Sequence, residues 1–129
     1  MPIRFRHDPE RDLLIHVGVG RVGIDDIGNL RAERRAAGIP SNVGNTLTDM
    51  RRAEFDFDIL SLRDHEEGLP ADEYAGSRHA EVVDDPWRKA ILLLWREWLP
   101  DGIRVEVFED VDEAYAWLGV EKREGDLEF

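Results

Sequence analysis

The chain has 129 residues, with 17 Lys and Arg against 29 Asp and Glu, and so a formal net charge of -12. That balance argues against a nucleic-acid partner, because phosphate backbones are bound by clustered Lys and Arg. The length suits one domain with its own core, and the absence of cysteine excludes disulfides, thiolate nucleophiles and thiolate metal sites.

The first residues, Met1 to Asp8, carry no apolar signal core. No apolar run approaches the roughly 18 residues of a membrane span. A cytoplasmic location is therefore the expectation. Ile3, Phe5 and His7 alternate with Arg4 and Arg6, which predicts a first strand. The turn Asp8–Asp12 contains Pro9, and Leu13–Val22 reads as a second strand. A turn this short joins only antiparallel neighbours, so the two strands form a hairpin. Ile24–Ala37 has helical spacing and Gly38 stops it; Gly44–Met50 is predicted as the third strand.

Asp56 or Asp58 caps a short helix through about Glu66, and residues 68–76 read as a loop or one further helical turn. His79–Val83 is the fourth strand. Asp85 is an N-cap, with Pro86 at the first position of a helix to Leu99. Its spacing assigns Trp87, Ala90, Ile91, Leu94, Trp95, Trp98 and Leu99 to one face. Ile103–Phe108 alternates as a fifth strand, and Asp110 with Glu113 has capping-box spacing before a helix Val111–Leu118 ended by Gly119. Strands alternating with helices predict an α/β fold. The expected form is a single domain with a mixed, mostly parallel five-stranded sheet, an N-terminal β-hairpin and about four helices. Residues 1–120 form this domain, and 121–129 are expected as a flexible tail.

Few motifs point to chemistry. Gly18, Gly20 and Gly23 spell G-x-G-x-x-G, but the first two fall inside a strand and Asp25 and Asp26 would repel a pyrophosphate. Strand glycines where a side chain would clash are the plainer reading. His7, His16, His65 and His79 lack metal-ligand spacing, so no metal or cofactor is expected. Ser77-Arg78-His79 is not read as a nucleophile arrangement, because neighbouring strand residues point to opposite faces. No enzyme activity is expected.

Two features carry binding expectations. Asp49 and Arg51 end the third strand and Trp87 opens the helix after the fourth, at the carboxyl rim where open α/β sheets hold ligands. They are candidates for a small apolar or anionic ligand, with a structural Asp49–Arg51 ion pair as the alternative. Between Asp56 and Glu73 stand seven acidic residues and one arginine. Asp56, Asp58, Asp64, Glu66 and Glu67 are therefore candidates for a solvated face or for docking a basic protein partner. Self-association through an apolar helix face, giving a homodimer, is compatible with the pattern.

The order of elements and three local motifs resemble the STAS superfamily, especially its SpoIIAA-like branch. The motifs are Asp8-Pro9-Glu10-Arg11-Asp12-Leu13 running to Gly20-Arg21-Val22, Asp49-Met50-Arg51, and Val105 to Gly119 with Val107-Phe108 and Glu113-Ala114 through Trp117-Leu118-Gly119. The resemblance covers about residues 1–120 and implies a regulatory or protein-interaction module. It also implies a phosphorylated Ser or Thr at the start of the helix after the third strand. Here residues 52–58 hold no hydroxyl, and Ser61 lies about a turn inside. A phospho-switch is therefore not expected. The SEC14-like description of this group implies, alternatively, an apolar ligand between sheet and helices.

Overall fold

The structure, a computed structural model, describes residues 2–69 and 76–129. The turn around Pro9 folds β1 (Ile3–Asp8) back on β2 (Leu13–Val22), with Ile3 opposite Gly18 and Asp8 opposite Leu13. There follow α1 (Ile24–Ala36), β3 (Asn45–Phe55), α2 (Ile59–Glu67), β4 (Arg78–Val82), α3 (Pro86–Trp98), β5 (Arg104–Phe108) and α4 (Val111–Leu118). The sheet order is β1-β2-β3-β4-β5, antiparallel at the hairpin and parallel thereafter. The fold is thus the expected single-domain α/β architecture. Residues 70–75, within the expected 68–76 loop, lie outside the described residues.

Each parallel crossover steps one strand further in the same direction, and right-handed connections then lay α1, α2 and α3 on one face. The last helix, α4, covers the other. Its Val111, Ala114, Tyr115 and Leu118 bury Leu13, Ile15, Val17, Leu47, Ala80 and Val82. On the opposite face Leu30 of α1 and Leu92 of α3 meet Ile3, Val22, Met50, Ala53 and Val83. Both faces of the central strands are therefore covered, as parallel sheets require.

Local signals set the helix ends. Asp58 accepts the Ser61 N–H, Asp85 accepts that of Arg88 and Asp110 accepts that of Asp112, each at 2.8 Å. Gly119 ends α4 in the left-handed region at φ 70°.

Three expectations are corrected. First, β3 does not end at Met50 but runs to Phe55, because β2 keeps pairing with it through Val22 opposite Phe55. The register shifts between Val17 opposite Asp49 and Val19 opposite Arg52, so β3 carries one extra residue, a bulge at Met50 and Arg51. Gly18 faces this bulge; a Cβ there would stand 2.3 Å from Met50 Sδ. Gly18 and Gly20 of the G-x-G-x-x-G run are thus strand glycines, and Gly23 is the N-cap of α1 with its N–H held by Asp26 at 2.8 Å.

Second, α3 does not bury the assigned stripe. Ile91 and Leu92 are buried, whereas Trp87, Ala90 and Leu94 are exposed. Arg88 takes the inward position instead, donating to the carbonyls of Met50 and Ala53 (2.8 Å to the latter) while Asp84 and Asp85 bind the same guanidinium. That anchor fixes the rotation of the helix.

Third, residues 121–129 are not frayed. Asp126 is buried and accepts from Arg11 Nη1 and Nη2 at 2.8 and 2.9 Å, from Tyr115 Oη at 2.6 Å and from the Arg123 N–H at 3.1 Å. Leu127 and Phe129 pack against the α4-side core, and Arg6 lies 4.4 Å from the Phe129 ring centroid.

The hydrogen bond from Arg11 outweighs burial and holds the Asp126 carboxyl well below the usual range. A depressed carboxylate stabilises the fold above its unfolded pKa near 3.8, and that contribution is lost as pH falls toward the folded value. Asp126→Ala should cost on the order of 3 kcal/mol at neutral pH, as for breaking a buried ion pair. The melting-temperature gap between wild type and variant should be constant above pH 5 and shrink below pH 4, by thermal melts across that range.

Candidate functional site

Strand parity sends His16, Thr48 and Glu81 to the face under α1–α3, because their neighbours Ile15, Leu47 and Val82 go to the α4 face. Pairing places them in one row, His16 opposite Thr48 and Thr48 opposite Glu81. His16 Nδ1 lies 3.1 Å from Thr48 Oγ1, and Thr48 also hydrogen-bonds Glu81. In the next row His79 Nε2 lies 2.9 Å from Ser77 Oγ. All five residues are buried.

Burial dominates their protonation. It pushes the Glu81 carboxyl up to about 8, against the Thr48 hydrogen bond and with help from the Glu66 charge. It lowers His79 to about 3 and His16 well below its usual value, with the Arg34 charge acting the same way. At neutral pH the row holds a protonated acid and two neutral imidazoles. It floors a cavity of about 100 Å³ lined otherwise by apolar side chains of the strands and of α1–α3 together with Arg31, Arg34 and Glu66.

Ser77 and His79 meet because residues two apart share a strand face, which corrects the dismissal of this pair on neighbour parity. Ser77 is fully buried, and His79, kept neutral by burial, lines the cavity.

The acidic candidates separate. Glu66 is 2% exposed and accepts Arg31 Nη2 with both oxygens at 3.0 Å, while Arg31 Nη1 reaches His65 Nδ1 at 3.0 Å. It is an internal strut between α1 and α2, which corrects its assignment to a docking face. Asp56, Asp58, Asp64 and Glu67 are exposed. Asp56 pairs with Arg21 at 3.3 Å, and Arg63 lies 3.8 and 3.9 Å from Asp64 and Glu67.

The rim candidates separate too. Asp49 is buried and accepts Arg51 Nε and Nη2, both at 2.9 Å, together with the Arg51 N–H at 3.1 Å. Burial opposes its ionisation, but these hydrogen bonds outweigh it and lower the pKa. Asp49 is thus a staple across the β3 bulge, turned to the α4 face. Arg51 and Trp87, the latter 66% exposed, line an open cleft of about 450 Å³ with Arg52, Phe55, Asp85 and Arg88. Among the described residues no group of three or more His, Asp or Glu is placed to hold a metal ion, and no helix is long and apolar enough to cross a membrane.

Glu81 sets a pH signature. Folded, it keeps its proton up to about 8, whereas the unfolded chain releases it near 4.5, so this contribution is complete below 4.5 and lost as pH rises through 8. The buried histidines act oppositely, but only below their unfolded value of 6.5. Thermal melts should show wild-type stability falling between pH 6.5 and 8.5, at no more than about 1.4 kcal/mol per pH unit for this one group. Glu81→Gln should abolish that fall.

No protein-family model and no curated protein matches the sequence. Among solved structures, an uncharacterized protein of the DUF3478 family with a SpoIIAA-like fold, from Shewanella loihica PV-4, is similar with a TM-score of 0.62 and 18% identity. The match covers 90% of this chain and 91% of that one. The anti-sigma factor antagonist SpoIIAA in its unphosphorylated form matches with a TM-score of 0.50 and 12% identity, over 91% of this chain and 97% of its own. The hairpin, the parallel strands and the helices divided over two faces make this a SpoIIAA-like, STAS-type fold.

Proposed function

We propose that the chain is a non-enzymatic regulatory or protein-interaction module of the cytoplasm that docks a basic partner on α2. The observation that carries this reading is Leu60, 60% exposed in the first turn of α2 between the N-cap Asp58 and Asp64 one turn on. A large apolar side chain set among exposed carboxylates supplies contact area, while the acids steer and orient a cationic surface. That SpoIIAA, of the same fold, is an anti-sigma factor antagonist supports a regulatory role.

The module works without a phospho-switch. Asp58 already places a carboxylate at the α2 N-terminus and holds the Ser61 N–H at 2.8 Å, so a phosphate on Ser61 would stand against a like charge. A second reading rests on the rim cleft, where Arg51 and exposed Trp87 offer a cation and an aromatic face to a small anionic or amphipathic ligand, a lipid included.

Capture on immobilised protein, quantified by mass spectrometry, separates the two. A partner should be retained at about 0.05 M salt, weakened at about 0.5 M, and lost at least tenfold with Leu60→Arg and Asp64→Lys. Ser61→Ala and Trp87→Ala should leave it unchanged. Retention indifferent to salt and to both α2 variants overturns the docking reading. A co-purifying small molecule lost with Trp87→Ala would establish the second one.

A further inference from the structure

The water-facing side of α3 carries an ordered stripe. Trp87, Ala90, Leu94 and Glu97 are spaced three and four apart, so they share one side of the helix, and all four are exposed. Trp87 and Leu94 leave large apolar side chains in water, 66% and 42% exposed. The two ends of the stripe differ in charge. At the Trp87 end the rim cleft holds Arg51, bound to Asp49, and Arg88, bound to Asp84 and Asp85. Arg52 is exposed in the same cleft and makes no ion pair among the described residues; Glu54 stands two residues further along β3. At the other end Arg96 lies 3.8 Å from Glu106, and Glu97 is left without an ion pair among the described residues. The stripe therefore runs from an uncommitted cation, past a small and then a large apolar residue, to an uncommitted anion.

We propose that this stripe is the interface of a homodimer, in which the α3 helices of two copies pack antiparallel about a two-fold axis. Antiparallel alignment sets Ala90 opposite the partner's Leu94 and Trp87 opposite the partner's Glu97, and the two-fold makes each contact twice. Leu94 fills the room that the small Ala90 side chain leaves, so the helix axes can close to the roughly 8–10 Å of packed helices. Arg52, beside Trp87, then meets the partner's Glu97. Parallel alignment would instead put Leu94 on Leu94 and Glu97 on Glu97, wasting the space at Ala90 and stacking like charges. A second copy is the occupant because it presents the same order of size and charge reversed, by symmetry alone. The seam uses neither Leu60 nor the α2 carboxylates, so it stands or falls apart from partner docking. It does cover Trp87, so the second copy and a small molecule in the rim cleft exclude one another.

Sedimentation equilibrium of the intact, untagged chain tests this. The wild type should show a reversible monomer–dimer equilibrium, and Leu94→Asp should weaken it by about tenfold or more. Ala90→Leu is the sharper variant. It adds apolar surface, which would strengthen unspecific sticking, but it fills the space reserved for the partner's Leu94 and should weaken the dimer by about tenfold. Joined with Leu94→Ala it exchanges the small and large positions and should restore association. Arg52→Glu and Glu97→Arg should each weaken the dimer, and the double variant should recover it. All these positions are exposed, so thermal melts should show folded protein throughout; if Leu94→Asp does not fold, the Ala90–Leu94 exchange decides. A monomer at every concentration up to about 1 mM overturns the proposal. So does a dimer indifferent to Leu94→Asp, one strengthened by Ala90→Leu, or one that neither double variant restores.

Discussion

A carboxyl group on β4, cut off from water and without an ion-pair partner among the described residues, organises the inner face of the sheet. Glu81 is tolerated there only as the neutral acid, and a neutral acid is a donor that needs an acceptor. Thr48 supplies one from the adjacent strand, and its hydroxyl in turn needs His16 from the next. The row therefore depends on the register of three parallel strands. A one-residue slip would turn each member to the α4 side, among Leu13, Ile15 and Leu118. Burial of the second carboxylate, Glu66, is handled differently, by the double hydrogen bond from Arg31 that ties α2 to α1. One acid is kept neutral within the sheet, and the other is paired between two helices.

The two faces of the sheet have different tasks. The α4 face is mostly apolar, with the Asp49–Arg51 pair at the β3 bulge, and the Arg11–Asp126–Tyr115 cluster pins the chain end beside it. The face under α1–α3 mixes polar floor and apolar wall and keeps a cavity. A mixed face of this kind is a costly way to build a core, since well-packed apolar residues would serve stability at least as well.

Local chemistry made much of the fold legible. Asp85 with Pro86, Asp110, and Gly119 announce helix ends through nearest-neighbour hydrogen bonds, and the structure places those ends accordingly. What depends on distant partners was not legible. The extension of β3 to Phe55 follows from continued pairing with β2 around a bulge, and the rotation of α3 follows from Arg88 reaching Met50 and Ala53 carbonyls. Asp49 and Arg51 were readable as a pair, but only the bulge shows why they form one. The polar row itself left a trace. His16, Thr48, His79 and Glu81 share one parity on three central strands, and a parallel sheet covered on both faces has no solvent side for them. Alternation alone reads such residues as exposed; alternation combined with parallel topology reads them as internal.

Asp58 uses its carboxylate locally, on the Ser61 N–H, so its charge is fixed in place rather than switched. A helix N-terminus already satisfied by a carboxylate gains little from a phosphate and loses to repulsion. On the docking reading proposed above, regulation of a partner comes from elsewhere than a hydroxyl on α2. That surface helix is tied inward all the same: α1 and α2 are joined by Arg31 and Glu66, and both helices line the cavity.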